Sequence, residues 1–363
     1  MLPIKKHLAN LERVPNADES RLGYLRLDKN ENIIPLPPKI LAQFKKALNT
    51  DFVSAYPEPG TLYKKLAKHV GCKPGNLYLS SGSDGAIKSV FEAFVEIGDK
   101  VLLLGPTYAM FYVYVKMFQA ELVEVKYAAD LSLPVEKILS QIESAQPKLI
   151  CIANPNSPTG TVMKPEDLRQ VMALARQKNA VILIDEAYYL FYPETCAGLI
   201  NEYSNLVVTR TFSKAFGIAS ARFGFAVGSR EMIECLQKTR PMYETNAYAV
   251  KFAGIMLEYT DVVKKNIREA LKGKRFLERE LKNMGLSYFK SYANFVLIDV
   301  GSKDKAIATE KALKQKKILA KGGFGFPLER CLRINIGSVG QMKRFLKVLI
   351  EVSAVREKKR VSL

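Results

Sequence analysis

Between about residues 77 and 225 short apolar runs alternate with segments of helical length: LYLSS, KVLLLG, AELVEV, KLICIAN, AVILIDEA, NLVVTRT and RFGFAVG each precede or follow one. Alternation of this kind argues a mainly parallel, seven-stranded sheet covered by helices. Helices are expected over residues 85–97 and 164–178, with a further one at 213–219, each beginning near a Ser, Asp or Pro that can start a helix. In such a fold every turn from strand into helix is a possible ligand site.

After residue 225 the texture changes. Helical patterning runs from 230 to 284, ANFVLIDV and CLRINIG read as strands, and a Lys-rich helix is expected near 304–316. This predicts a second α/β unit, with a large unit at 31–235 and a smaller one formed by 1–30 together with 236–363. No repeat or Gly/Ser tether separates them, so they are expected to pack around a shared cleft.

Composition narrows the chemistry. The chain has 363 residues, 48 % of them hydrophobic, enough for a large core and a second one. No stretch approaches the roughly 20 apolar residues of a membrane helix, and the N-terminus lacks the apolar run of a signal peptide, so a soluble, cytoplasmic protein is expected. Five scattered cysteines without a CxxC pair suit free thiols. Only two histidines, His7 and His69, exclude a multi-histidine metal site, and no metal is expected. Lys and Arg outnumber Asp and Glu 55 to 36, for a net charge of +19, which suits anionic partners. The charge is interleaved with apolar residues along helices and is densest at 311–321 and in the REKKR tail, without a zinc-finger, basic-region or RNP-type motif, so nucleic acid is disfavoured and a small anionic substrate preferred.

The segment VVTRTFSKAFGIASARFGF sets Lys214 just past a strand end, flanked by Thr209, Thr211 and Ser213 and followed by Arg222. Desolvation and a nearby cation would favour its neutral amine, as Schiff-base chemistry requires, while Arg222 and the hydroxyls suit a phosphate. Upstream, Asp185, Glu186 and Tyr188 end a very apolar strand, where a carboxylate needs a partner; the protonated ring nitrogen of pyridoxal phosphate (PLP) supplies one. The turn around Gly82, Ser83 and Asp84 opens a helix whose N–H groups can cradle a phosphate. Tyr108 follows a Gly-Pro turn with a ring suited to stacking, and NPNSPTG, with Asn156 and Ser157, forms a polar turn at another strand end.

In order and spacing, DKNEN, AYPEPG, SSGSDGAI, GPTYAMF, ANPNSPTG, IDEAYYLF, RTFSKAFGIASARFGF and CLRINIG resemble the fold-type I PLP aminotransferases, in the histidinol-phosphate aminotransferase branch, over roughly residues 28–337. The resemblance implies a fold-type I homodimer with Lys214 as the cofactor-bearing amine and proton carrier. Asp185 would sit on the ring nitrogen, Tyr188 on the ring hydroxyl and Tyr108 on the ring face. Ser83, Asp84, Thr211 or Ser213, and Arg222 would hold the cofactor phosphate, with Tyr56 reaching across from the partner subunit. Arg333 matches the arginine that grips a substrate carboxylate or phosphate.

The chain departs from the family at Ser157, where an Asn usually contacts the ring hydroxyl, and at Lys321, where the branch commonly carries an arginine for the substrate phosphate. Asn30, Arg240, Tyr243 and Asn246 are further candidate substrate-side groups. The activity expected is reversible transamination of a small phosphorylated amine such as histidinol phosphate, with a 2-oxo acid such as 2-oxoglutarate. Decarboxylation of phosphothreonine or phosphoserine by the same cofactor is an alternative, and a non-catalytic nucleic-acid-binding protein a remote one.

Overall fold

A computed structural model describes residues 3–9, 11 and 20–361, with only the helical backbone from 354 on. Most of residues 1–19 of the small unit and the side chains of the REKKR tail therefore lie outside the described residues. The strands are β1 (Leu25–Arg26), β2 (Leu77–Ser81), β3 (Lys100–Gly105), β4 (Glu121–Lys126), β5 (Leu149–Ala153), β6 (Val181–Asp185), β7 (Leu206–Thr211), β8 (Phe223–Gly228), β9 (Tyr288–Phe289), β10 (Phe295–Asp299), β11 (Ile318–Leu319) and β12 (Cys331–Asn335). The helices up to the end of the large sheet are α1 (Lys6–Ala9), α2 (Pro38–Lys46), α3 (Thr50–Ser54), α4 (Gly60–Val70), α5 (Gly82–Phe94), α6 (Ala109–Met117), α7 (Val135–Ala145) and α8 (Pro165–Gln177). Beyond it follow α9 (Arg230–Gln237), α10 (Ala247–Glu258), α11 (Thr260–Asn283), α12 (Lys303–Gln315) and α13 (Val339–Val361).

The seven expected strands form one sheet in the order β2-β8-β7-β6-β5-β3-β4, parallel except for β8. Period-two alternation sends Leu102, Leu104, Ile150, Ile152, Ile182 and Ile184 into a core on one face and Val101, Leu103, Leu149, Cys151, Val181 and Leu183 into a core on the other. Being covered on both sides is why these strands read as unbroken apolar runs. The carboxyl ends of β2, β3, β5, β6 and β7, and the start of β8, share one edge.

The second unit has its own core, in which Leu25 and Leu27 meet Leu277, Val296, Leu313, Leu332 and Phe345. Strand β1 joins this unit by parallel pairing with β11, Leu25 opposite Ile318. Ala249, Ala253, Met256, Val263 and Ile267, however, pack into the large sheet's core. The chain thus crosses between the two cores within α11, later than a division at residue 235 expects, because the apolar faces of α10 and the first turns of α11 match the sheet's helical layer.

One expected helix is absent: residues 213–219 form a turn followed by a short 3-10 segment, Ala219–Ala221. Gly217, at φ +76°, takes a left-handed conformation that breaks helical geometry, and Phe212 and Phe216 stack at 3.9 Å beneath the turn. No helix among the described residues is long and apolar enough to cross a membrane.

Candidate active site

The shared sheet edge gathers the side chains that carry chemistry. Asp185 ends β6 buried, and its Oδ1 accepts from Thr209 Oγ1 at 2.7 Å on the next strand. Burial is the main cause that pushes its pKa up to about 7, with Asp84 and Glu186 adding to the rise and Lys214 opposing it. No Lys or Arg forms an ion pair with it among the described residues, so this carboxylate lacks a cation.

Lys214 sits on the turn after β7, its Nζ 2.9 Å from the Lys29 carbonyl oxygen and 6.0 Å from the Tyr188 ring centre. Desolvation first, then the Arg333 charge, lowers its pKa to about 8, so a free amine is accessible near physiological pH. The buried Tyr188 hydroxyl accepts from Asn30 Nδ2 at 2.8 Å and also meets Ser157. Asn30 holds φ +55°, an uncommon backbone for a side chain with a Cβ, and its buried Oδ1 lacks a hydrogen-bond partner among the described residues.

An anion cradle stands beside the amine. The α5 N-terminus begins at Gly82, φ +74°, where a Cβ would come within 2.7 Å of Arg222 Nη2. Arg222, itself left-handed at φ +53°, donates to Ser213 Oγ at 3.2 Å, and Thr211 Oγ1 donates to the same oxygen at 3.0 Å. Helix N–H groups, a guanidinium and two hydroxyls together form an anion site. Tyr108 precedes α6, edge-on to Phe111, its hydroxyl 3.5 Å from Asp84 Oδ1.

Arg333 approaches from β12. Its Nη1 donates to Ser157 Oγ at 3.3 Å and its Nη2 to the Asp28 carbonyl at 2.8 Å, while Phe295 and Phe324 lie 5.4 and 5.6 Å from the guanidinium. Lys321 and Arg333 form an antiparallel bridge, so their side chains leave on the same side.

Several candidates have other neighbours. The Asn156 amide ties two turns together, donating to the Pro106 carbonyl at 2.9 Å and Thr159 Oγ1 at 2.8 Å and accepting from Thr107 at 2.7 Å. Asn246 caps α10 by accepting from Ala249 N–H at 2.8 Å, which makes it structural. Tyr56 and Tyr243 stack on one another, centres 4.3 Å apart and nearly parallel, with Tyr56 73 % exposed. Among the described residues neither ring contacts the Lys214 cluster within this chain. Sequence reasoning missed the backbone carbonyls of Asp28 and Lys29, which hold Arg333 and Lys214, and the Phe295–Phe324 surround of Arg333; only the DKNEN motif hinted at the first.

The cluster fits PLP: a buried carboxylate without a cation for the ring nitrogen, an amine of lowered pKa for the aldehyde carbon, and an anion cradle for the phosphate. The family model for aminotransferase class I and II matches residues 23–349. Histidinol-phosphate aminotransferases from Thermoanaerobacter sp. (strain X514) and Sulfurisphaera tokodaii are 33 % and 34 % identical, over 86 % and 90 % of this chain and 88 % and 90 % of theirs. The crystal structure of histidinol-phosphate aminotransferase from Sinorhizobium meliloti in complex with pyridoxal-5'-phosphate superposes with a TM-score of 0.87 at 26 % identity, over 97 % of this chain and 98 % of that one. A Thermus thermophilus aspartate aminotransferase, 18 % identical with a TM-score of 0.79, shares the fold. The chain belongs to the class I and II aminotransferases, PLP-dependent enzymes of fold type I.

Proposed function

We propose that this enzyme transaminates a small phosphorylated amine, with histidinol phosphate the first donor to test, and returns the amino group to a 2-oxo acid such as 2-oxoglutarate. The observation that carries the reading is Arg333, whose charge acts on Lys214 and which is bridged to Lys321 on the neighbouring segment: two cations on one face suit a donor with a phosphate or carboxylate at a fixed distance from its amine. The relatives named above support the choice of donor.

When bound, PLP supplies the electron sink that stabilises negative charge on the substrate carbon. The protein's residues do the rest. Lys214 would hold the cofactor through Nζ and, when that amine is free, would carry the proton that the substrate carbon releases; its lowered pKa keeps part of it in the basic form near neutrality. Asp185 would hold a proton at the ring nitrogen, and Tyr188, steadied by Asn30, would donate to the ring hydroxyl. The α5 N-terminus, Thr211, Ser213 and Arg222 would hold the phosphate and so orient the cofactor. The enzyme works as a homodimer in which Tyr56, exposed in the single chain, completes the partner's phosphate site.

The test is the absorbance of the PLP-loaded protein mixed separately with histidinol phosphate, phosphoserine and phosphothreonine, without a 2-oxo acid and with carbon dioxide assayed. Conversion to pyridoxamine phosphate without carbon dioxide supports the reading and names the donor. Carbon dioxide release with the original band intact overturns it in favour of a decarboxylase.

A further inference from the structure

Thr209 and Thr211 face the cofactor side of β7, so Arg210 between them points to the other face. There its guanidinium is buried against Glu186: Nε donates to Glu186 Oε2 at 2.9 Å, Nη2 donates to Thr195 Oγ1 at 2.6 Å, and Cζ lies 3.5 Å from the Tyr189 ring centre. Glu186 is closed in further by Thr195 Oγ1 at 2.9 and 2.8 Å and by Cys196 N–H at 2.6 Å, and the ion pair is 6 % and 3 % exposed. None of these atoms reaches the cofactor side. Yet Glu186 directly follows Asp185, and its N–H is held by the Thr209 carbonyl at 2.8 Å, so it shares a peptide unit with the carboxylate assigned to the ring nitrogen.

We propose that Arg210 is a positioning residue for Asp185: by pairing with Glu186 it cancels the negative charge beside Asp185 and anchors the Asp185–Glu186 peptide so that Asp185 faces the ring. A buried carboxylate stripped of its cation is strongly unfavourable, and its charge acts on neighbouring ionisations through a low dielectric. The groups facing Asp185 are Asp84 at the start of α5, Tyr108 before α6, Cys151 on β5, Glu186, Tyr188 and Lys214. Facing the pair itself are His69 from α4, with Cys72 just after that helix, whose thiol pKa burial raises, and Cys196. Burial above all, with the Arg210 charge behind it, holds His69 below its ordinary value, and burial raises Cys196 to about 12, so both stay neutral between pH 7 and 9. The sign of any shift therefore belongs to Arg210 and Glu186.

The proposal rests on the reading of Lys214 and Asp185 given above. The experiment titrates the absorbance band of the PLP-loaded protein against pH in the wild type, Arg210→Met, Glu186→Gln and the double variant, with kcat and KM measured alongside. An uncompensated negative charge favours every nearby protonated form, so Arg210→Met moves the midpoint upward by about one unit and lowers kcat about tenfold with KM unchanged. Glu186→Gln moves the midpoint downward, and the double variant returns it to the wild-type value. Arg210→Lys keeps the wild-type midpoint while lowering Tm. Should Arg210→Met fail to fold, the direction of Glu186→Gln still decides. One midpoint shared by all foldable variants, or a double variant that stays with Arg210→Met, overturns the proposal. A wild type that gives no band with PLP overturns instead the reading on which it rests.

Discussion

Arg333 and Ser157 are joined by a 3.3 Å hydrogen bond, and the buried Arg333 Nε has no partner among the described residues. The guanidinium is thus held by two of its nitrogens in a fixed plane, ready for a planar anion. Arg333→Lys keeps the charge and removes the fork, and is expected to lower kcat/KM for the donor by about 30- to 150-fold, or about 2–3 kcal/mol, chiefly through KM. Steady-state kinetics checks this, with unchanged PLP affinity as the control.

Cofactor uptake should report the Lys214 amine. Its pKa near 8 means that the rate at which cofactor-free protein captures PLP rises with pH around a midpoint near 8, well below the 10.5 of an ordinary lysine. Stopped-flow absorbance from pH 6.5 to 10 gives the midpoint, and Lys214→Ala should abolish the slow covalent phase altogether.

Asp185 makes the cofactor-free protein pH-sensitive in the opposite sense to most carboxylates. Its folded pKa, about 7, lies above the 3.8 of the unfolded chain, so the folded form keeps a proton that the unfolded form has released. The resulting stability is complete below about pH 4 and is lost as pH rises to 7. Asp185→Asn lacks this titration, so without PLP it should gain on the wild type across that range, by up to about 4 kcal/mol. Urea unfolding at pH 4.5 and 7.5 measures the gain; saturating PLP should reverse the order.

Gly224, on β8, leaves no room for a side chain: a Cβ would lie 2.3 Å from Gly82 C and Ser83 N, the backbone of the anion cradle. Gly224→Ala is expected to lower stability by about 1–3 kcal/mol and to weaken PLP binding more than its distance from the ring suggests. Thermal unfolding with and without PLP separates the two effects.

The sheet was legible because doubly covered strands keep an unbroken apolar signature, and strand ends then place Lys214, Asp185, Thr211 and Gly82 along one edge. Two local features escaped the pattern. The 213–219 segment has helical composition, but Gly217 and the buried Phe212–Phe216 stack impose a turn. Helix α11 is amphipathic along its whole length, and periodicity cannot say that Ile267 and Leu277 face different cores. Beyond the DKNEN motif, the carbonyls of Asp28 and Lys29 left no trace because a backbone acceptor carries no residue identity.

The pairing of β1 with β11 sets Leu25 against Ile318, and the Asp28 carbonyl against Arg333 on β12. On the ribosome the first of these partners emerges long before the second. The large sheet can close while the tail is still being made, but Arg333 does not yet exist in the chain to meet the Asp28 carbonyl. At about 5–20 residues per second, several hundred residues of synthesis separate the two halves of this contact. The early segment must wait some tens of seconds, and a nascent chain released before β12 would carry the anion cradle at α5 without the guanidinium of Arg333.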